Sequence, residues 1–176
     1  MNRQIIKIMK KIHILKIIVD FIWIISMPII PIAILLIPFL FFYDNLSDFN
    51  LKINGIELIT NDIFAKILMS ISIILYLLII YCIYLFKKVL LNFIKTKIFD
   101  QVVIKSFSKI GNILTLSGVI YLAISFISKI YFEQKIRLEL SLNPNIILIC
   151  LGLFFIILSE IFKTAKNTKQ ENDLTI

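Results

Sequence analysis

The stretch ILMSISIILYLLIIYCIYLF, residues 67–86, decides the fold class, because 20 consecutive positions carry no charged side chain. Three further uncharged apolar runs occur at residues 21–42, 110–128 and 140–159. A helix rises about 1.5 Å per residue, so about 20 apolar residues cross the hydrocarbon core of a bilayer. Lipid offers no partner to backbone N–H and C=O groups, so all four runs are predicted to be transmembrane helices.

The composition agrees with a membrane protein and excludes a large catalytic domain. The chain has 176 residues, 60% of them hydrophobic and 17% charged, and its mean hydropathy is +0.98. Soluble domains carry about 45–50% apolar and about 25% charged residues. We therefore predict an all-α membrane protein, a single domain over residues 1–176 with a bundle of four transmembrane helices. The helices are expected at approximately 14–42, 63–88, 108–132 and 143–166.

Lysine and arginine are distributed unevenly between the two sides of the predicted bundle. Fourteen of the 19 lie in the N-terminal arm, the connection between the second and third helices, and the C-terminal tail. Positively charged connections stay in the cytoplasm, so both termini are expected on the cytosolic side of the membrane. The net charge of +8 is then mainly a topology signal, with some attraction to anionic lipid headgroups. No direct nucleic-acid binding is expected.

The two outer connections contain strand-like patterns. Asn54-Gly55 lies between short apolar segments, which is typical of a β-hairpin at approximately 49–60, with Lys52 opposite Glu57. Residues 134–142 alternate strictly between polar and apolar side chains, which predicts a strand. We expect the hairpin and this strand to form a small extracytoplasmic β-sheet. The competing interpretation is that residues 138–142 simply begin the fourth helix.

The inner connection is basic and partly amphipathic. Asp100 is a predicted N-cap that accepts hydrogen bonds from backbone N–H groups two or three residues further on. Val103, Ile104 and Phe107 fall on one side of a helix, which indicates an interfacial elbow that leads into the third transmembrane helix.

Two acids lie at the inner edges of the first and fourth helices. Asp20 follows Lys16 by four residues and Glu160 precedes Lys163 by three, so each has a helical neighbour of opposite charge. Interfacial ion pairing is the favoured interpretation. The alternative is that both acids face the bundle interior as a proton or cation site.

Prolines and small residues mark points of backbone irregularity and close approach. The first helix contains three prolines, Pro28, Pro31 and Pro38. We favour a kink that packing tolerates over a broken helix of the kind that forms transporter binding sites. Three small residues recur every seven positions in the third helix and are expected to pack helices, within the bundle or between copies in a homo-oligomer: Gly111, Gly118 and Ser125.

No pattern of catalytic, cofactor-binding or metal-ligating residues is found. His13 has no cysteine or acid at ligand spacing, which disfavours a metal site. Cys82 and Cys150 fall at opposite depths of the bundle, so they are expected to be free thiols. We therefore expect a protein that is not an enzyme and holds no cofactor.

The C-terminal tail is the most distinctive local sequence and a candidate partner-binding segment. It ends in Glu171, Asn172, Asp173, Leu174, Thr175 and Ile176. A free tail of this kind can be captured by a partner's backbone groups or add a strand to a partner's sheet. Glu-Asn-Asp-Leu-Thr-Ile at the C-terminus, after a helix that ends Glu160-Ile161-Phe162-Lys163, resembles the bacterial membrane-protein family called domain of unknown function 2975. The segment from Phe99-Asp100 to Ile110-Gly111 is similar to that family's elbow, with Asp100 in place of a hydroxyl residue.

The resemblance implies four membrane helices and, by gene neighbourhood alone, a small cytosolic helix-turn-helix regulator as partner. The first hypothesis is therefore a non-enzymatic regulatory or sensory membrane partner of such a regulator. A small transporter or transporter subunit that uses Asp20 and Glu160 is the first alternative. A membrane-stress or toxin-immunity protein is the second.

Overall fold

The computed structural model describes residues 2–42, 52–53, 56–57, 62–133 and 143–174 of the chain. Within these residues the architecture is a bundle of long helices. The elements are α1 (Asn2–Ser26), α2 (Ile29–Phe42), β1 (Lys52–Ile53), β2 (Ile56–Glu57), α3 (Ile63–Ile94), α4 (Gln101–Ser128), which continues as a π-helical turn (Lys129–Glu133), and α5 (Pro144–Leu174).

Four helical segments of the described residues are long and apolar enough to cross a membrane. They are Met9–Phe42, Ile63–Ile94, Gln101–Phe132 and Pro144–Asp173. The exposed side chains on the surface of these spans are mostly isoleucine, leucine and phenylalanine, as a lipid environment requires. The protein is therefore a multi-pass membrane protein, which confirms the membrane prediction.

The first span is two helices, because the backbone breaks between Ser26 and Ile29. Pro28 has no N–H to donate and its ring clashes with a carbonyl one turn back. The last hydrogen bonds of α1 run from Met27 N to Trp23 O at 3.1 Å and from Ser26 Oγ to Ile22 O at 2.8 Å. Pro38 lies inside α2 without ending it.

Successive spans are antiparallel, and α4 lies between α3 and α5. Tyr121 of α4 donates from its hydroxyl to the Ser72 carbonyl of α3 at 3.1 Å. On the other side of α4, the Ser159 hydroxyl of α5 donates to the Ile104 carbonyl at 2.9 Å. The α1–α2 span packs on α3. One end of the bundle therefore collects the start of α1, the end of α3, the start of α4 and the end of α5, which are the lysine-rich segments.

Asp100 caps α4 as predicted, because its carboxylate accepts a hydrogen bond from Val102 N at 3.0 Å. The predicted interfacial elbow is the first two turns of α4 itself, and Val103, Ile104 and Phe107 are buried there. The connection between α3 and α4 is thereby reduced to residues 95–100. Thr96 turns the chain in this connection with a positive φ of 58°.

The predicted extracytoplasmic β-sheet of hairpin plus strand is wrong, because the fold is a helical bundle and its described residues contain no three-stranded sheet. The strand pairing found in the described residues is two residues long on each side, with Lys52 opposite Glu57 and Ile53 opposite Ile56. So short a ladder builds no apolar face that could pack on the helix ends, and a lone hairpin is marginal in water. The helix before the predicted third strand continues through residue 133, and residues 134–142 lie outside the described residues.

Candidate functional site

An aromatic cluster holds the α3–α4 connection against α5 at the lysine-rich end. Phe162 of α5 lies at its centre, with ring centroids 5.9 Å from Phe93, 5.9 Å from Phe99 and 5.4 Å from Phe107. Phe155, two turns earlier on the same face of α5, lies 5.8 Å from Phe107. Aromatic pairs at these distances contribute about 0.5–1.5 kcal/mol each beyond their buried area. The end of α5 and the connection therefore behave as one packed unit.

Polar contacts extend this unit toward the aqueous end of the bundle. The Lys166 ammonium donates to the Gln101 side-chain oxygen at 3.0 Å, which joins the end of α5 to the first residue of α4. The Thr164 and Thr168 hydroxyls donate to carbonyls one turn back in α5, at 3.0 and 3.1 Å. Helical structure thus continues beyond the apolar part of α5.

A pocket of about 320 Å³ lies between the connection and the end of α5. Its charged lining consists of Lys97, Lys166, Lys169, Asp100 and Asp173, and Phe99 also lines it. Residues 95–101 and 162–173 around the pocket carry five lysines against Asp100, Glu171 and Asp173, so the surface that an approaching molecule meets has a net positive charge. We call residues 95–101 together with 162–173 the lysine platform.

The tail continues α5, which runs to Leu174. The side chains of Glu171, Asn172 and Asp173 are exposed, and Asp173 lines the platform pocket. Thr175 and Ile176 lie outside the described residues. Partner binding by the tail stays a prediction, but its first residues are presented on a helix beside the lysines.

Asp20 forms an ion cluster with two lysines from two helices. The Lys16 ammonium donates to Asp20 Oδ2 at 2.7 Å, and the Lys87 ammonium of α3 lies 3.1 Å from Asp20 Oδ1. The Lys16 pair follows from helical spacing and was predicted. The Lys87 contact joins residues far apart in sequence, and no local pattern indicates it.

Glu160 lies on the outer surface, with 66% of its side chain exposed, and pairs with Lys163 at 3.4 Å. Asp20 and Glu160 therefore bind separate lysines, and the structure does not bring the two carboxylates together. This arrangement agrees with interfacial ion pairing for both acids and gives no support to a shared proton or cation site.

The small residues of α4 lie where helices approach closely. Gly111 and Gly118 face α5, next to Gly152 and Ile149 respectively. Gly152 is the partner that the seven-residue pattern missed, since it occurs alone on α5. Ser125 is also buried. The two glycines thus pack helices within the bundle.

The described residues contain no group of three or more His, Cys, Asp or Glu side chains that could hold a metal ion. Cys82 is buried in the bundle and Cys150 is exposed on its surface, both as free thiols.

Comparison with known proteins places the chain in a family. A search of the curated proteins found no match, and a search of the solved structures found none either. The family model described as "Protein of unknown function (DUF2975)" matches residues 32–176, which include α3, α4, α5 and the whole lysine platform. The chain therefore belongs to the DUF2975 family.

Proposed function

We propose that this protein is a non-enzymatic regulatory membrane protein that binds a small cytosolic helix-turn-helix regulator at the lysine platform. The proposal places it in a bacterial inner membrane with both termini in the cytosol. The observation that carries it is the packing of the α3–α4 connection onto α5, which builds a defined basic surface and pocket at one end of the bundle.

The length of α5 supports a surface that projects from the membrane. Its 31 residues extend about 46 Å, whereas the hydrocarbon core is about 30 Å thick. The excess lies at the polar end, since the residues from Lys163 to Asp173 are mostly charged or amide side chains. A soluble protein can therefore contact the last turns of α5 without entering the lipid.

The charge of the platform indicates which surface of the partner it meets. The five lysines of the platform outnumber its three acids, and Lys97, Lys166 and Lys169 line the pocket, so the complementary surface is acidic. A helix-turn-helix protein uses a basic surface for DNA. Binding through an acidic surface would leave the DNA-binding surface free or block it by proximity to the membrane, and either arrangement couples membrane state to transcription.

The test is a binding titration of the full chain in nanodiscs with a purified small helix-turn-helix regulator whose gene neighbours that of a family member. The double variant Lys97→Glu, Lys169→Glu should weaken the complex by about tenfold or more, because two attractions become repulsions. The matched control Lys10→Glu, Lys11→Glu changes the same net charge at exposed positions of α1. The control should bind within about twofold of the unmodified chain. Absence of binding by the unmodified chain, or equal weakening by both variants, would refute the platform as the docking surface.

A further inference from the structure

The Lys16–Asp20–Lys87 cluster carries one more positive than negative charge and faces partly outward. The side chains of Lys16 and Asp20 are each 24% exposed, and that of Lys87 is 29% exposed. Each ammonium has three donors, and the Lys16 ammonium donates one of them to Asp20. The carboxylate thus holds two ammonium groups side by side with donors to spare, which suits a phosphate oxygen pair.

An apolar crevice of about 320 Å³ lies further along the same helices, between α2 and α3. Its walls come from Ile29, Ile32, Ala33 and Leu36 on α2 and from Met69–Tyr76 on α3. Ala33 is only 6% exposed, whereas Ile32 and Tyr76 are about half exposed, so the crevice has a floor and an open side toward lipid. The break at Pro28 precedes the crevice and sets the direction in which α2 leaves α1.

The ion cluster and the crevice lie on one continuous seam. Trp23 of α1 packs on Tyr84 of α3 between them, with ring centroids 5.3 Å apart. Eleven residues separate Lys87 from Tyr76, which is about 16 Å along α3. One leaflet of hydrocarbon is about 15 Å thick, half of the bilayer core. A lipid whose phosphate lies at Lys87 therefore has acyl chains that end where the crevice begins, at the end of the crevice nearest Lys87.

We propose that this seam binds one anionic phospholipid, with its phosphate at Lys16 and Lys87 and an acyl chain that lies along the seam and reaches the near end of the α2–α3 crevice. The excess positive charge of the cluster favours a headgroup with net negative charge over a zwitterionic one. The apolar seam between the ion cluster and the crevice favours a lipid over free phosphate, because only the lipid gains by covering apolar surface there. The site is independent of the lysine platform, so it stands or falls apart from the regulator proposal.

The test is native mass spectrometry of the full chain in detergent, titrated with phosphatidylglycerol and with phosphatidylcholine of identical acyl chains. The unmodified chain should retain one phosphatidylglycerol more tightly than phosphatidylcholine. Lys16→Gln with Lys87→Gln should weaken retention of phosphatidylglycerol by about tenfold or more, because each lysine near the surface attracts the anionic lipid. The control Lys10→Gln with Lys11→Gln removes the same charge from exposed positions of α1 and should leave retention within about twofold.

A second variant tests the acyl chain separately. Ile29→Phe fills the near end of the crevice without changing any charge, and it should weaken binding of long-chain phosphatidylglycerol while leaving the short-chain lipid unaffected. Equal retention of the two headgroups, or equal losses in the cluster and control variants, would overturn the proposal. Competition by inorganic phosphate as strong as that by the lipid would overturn it as well, since the site would then recognise phosphate alone.

Discussion

Replacing Gly152 by alanine tests how tightly α4 and α5 are packed. A Cβ atom at Gly152 would lie 2.6 Å from Thr115 N and 2.9 Å from Gly111 O, and it would also meet the Thr115 hydroxyl. Two of these neighbours are backbone atoms of α4, which no side-chain rotation can move away. The two helices must therefore separate to accommodate a single methyl group.

The expected loss of stability follows from two opposing effects. Overpacking of a well-packed contact costs about 1–3 kcal/mol. Alanine in a helix interior is more favourable than glycine by about 0.5–1 kcal/mol. The clash at Gly152 is with backbone atoms, so the overpacking cost lies in the upper part of its range, about 2–3 kcal/mol. The net destabilisation is then about 1–2.5 kcal/mol, which lowers the melting temperature by about 2–10 °C in a chain of this size.

Gly118→Ala is the matched control on the same helix pair. Its added Cβ would lie 2.6 Å from Ile149 Cγ1, which is a side-chain atom that can rotate, and 3.0 Å from the nearest backbone atom, Asn145 O. The overpacking cost there is smaller and the gain in helix propensity offsets it, so the melting temperature should change little.

The structure also supplies the assay. Cys82 is buried and Cys150 is exposed, so in a Cys150→Ser background a thiol-reactive fluorogenic dye reports unfolding through Cys82 alone. The protein is heated in detergent with the dye, and the midpoints of the glycine variants are compared. Equal shifts at Gly152 and Gly118, or a higher midpoint for Gly152→Ala, would refute the backbone contact.

Two further predictions concern the lysine platform and the topology. Phe162→Ala removes a half-buried ring at the centre of the aromatic cluster, a loss of about 2 kcal/mol, and should speed tryptic cleavage at Lys97, whereas Phe154→Ala on the exposed face should not. Single cysteines at Asn54 and Ile176 in a cysteine-free background should label differently in intact cells, because a membrane-impermeant maleimide reaches only the outer side. Labelling of both positions alike would contradict the proposed orientation.

The membrane spans were predictable because their chemical signal is local. An uncharged apolar run of about 20 residues has no stable alternative to a helix in lipid. Their ends were less predictable, since α3 continues to Ile94 and α4 begins at Gln101. Hydropathy marks only the part of a helix that contacts lipid, whereas lysine is a good helix former and lets the helix continue through the headgroup region.

The contacts that build the candidate site join residues far apart in sequence. Local patterns identify one partner of each contact but not the other. Phe155 and Phe162 recur at a seven-residue interval, which indicates a shared face of α5, but nothing in that interval identifies Phe93 and Phe107 as the rings they meet. Asp20 likewise has Lys16 at helical spacing, while Lys87 comes from another span. The pairing of helices, which the sequence leaves open, decides both clusters.

The incorrect sheet has a related cause. Alternation of polar and apolar side chains predicts a strand only where neighbouring strands can complete a buried face. The described residues between the first and second spans form only β1 and β2, with two residues each. The third span continues as a π-helical turn to Glu133, so its backbone keeps its own hydrogen bonds. For the sheet, as for the aromatic cluster, a local sequence pattern was insufficient to predict which other segment it packs against.

The family match separates the two proposed sites. It covers residues 32–176, so it contains the lysine platform entirely, whereas Lys16 and Asp20 precede it and only Lys87 of the ion cluster lies within it. The matched residues build the platform unaided. The lipid site needs α1 as well, and a chain with another first helix would lose the phosphate position while it keeps the α3 wall of the crevice. Disrupting the platform and the ion cluster in separate variants consequently tests the regulator site and the lipid site independently of each other.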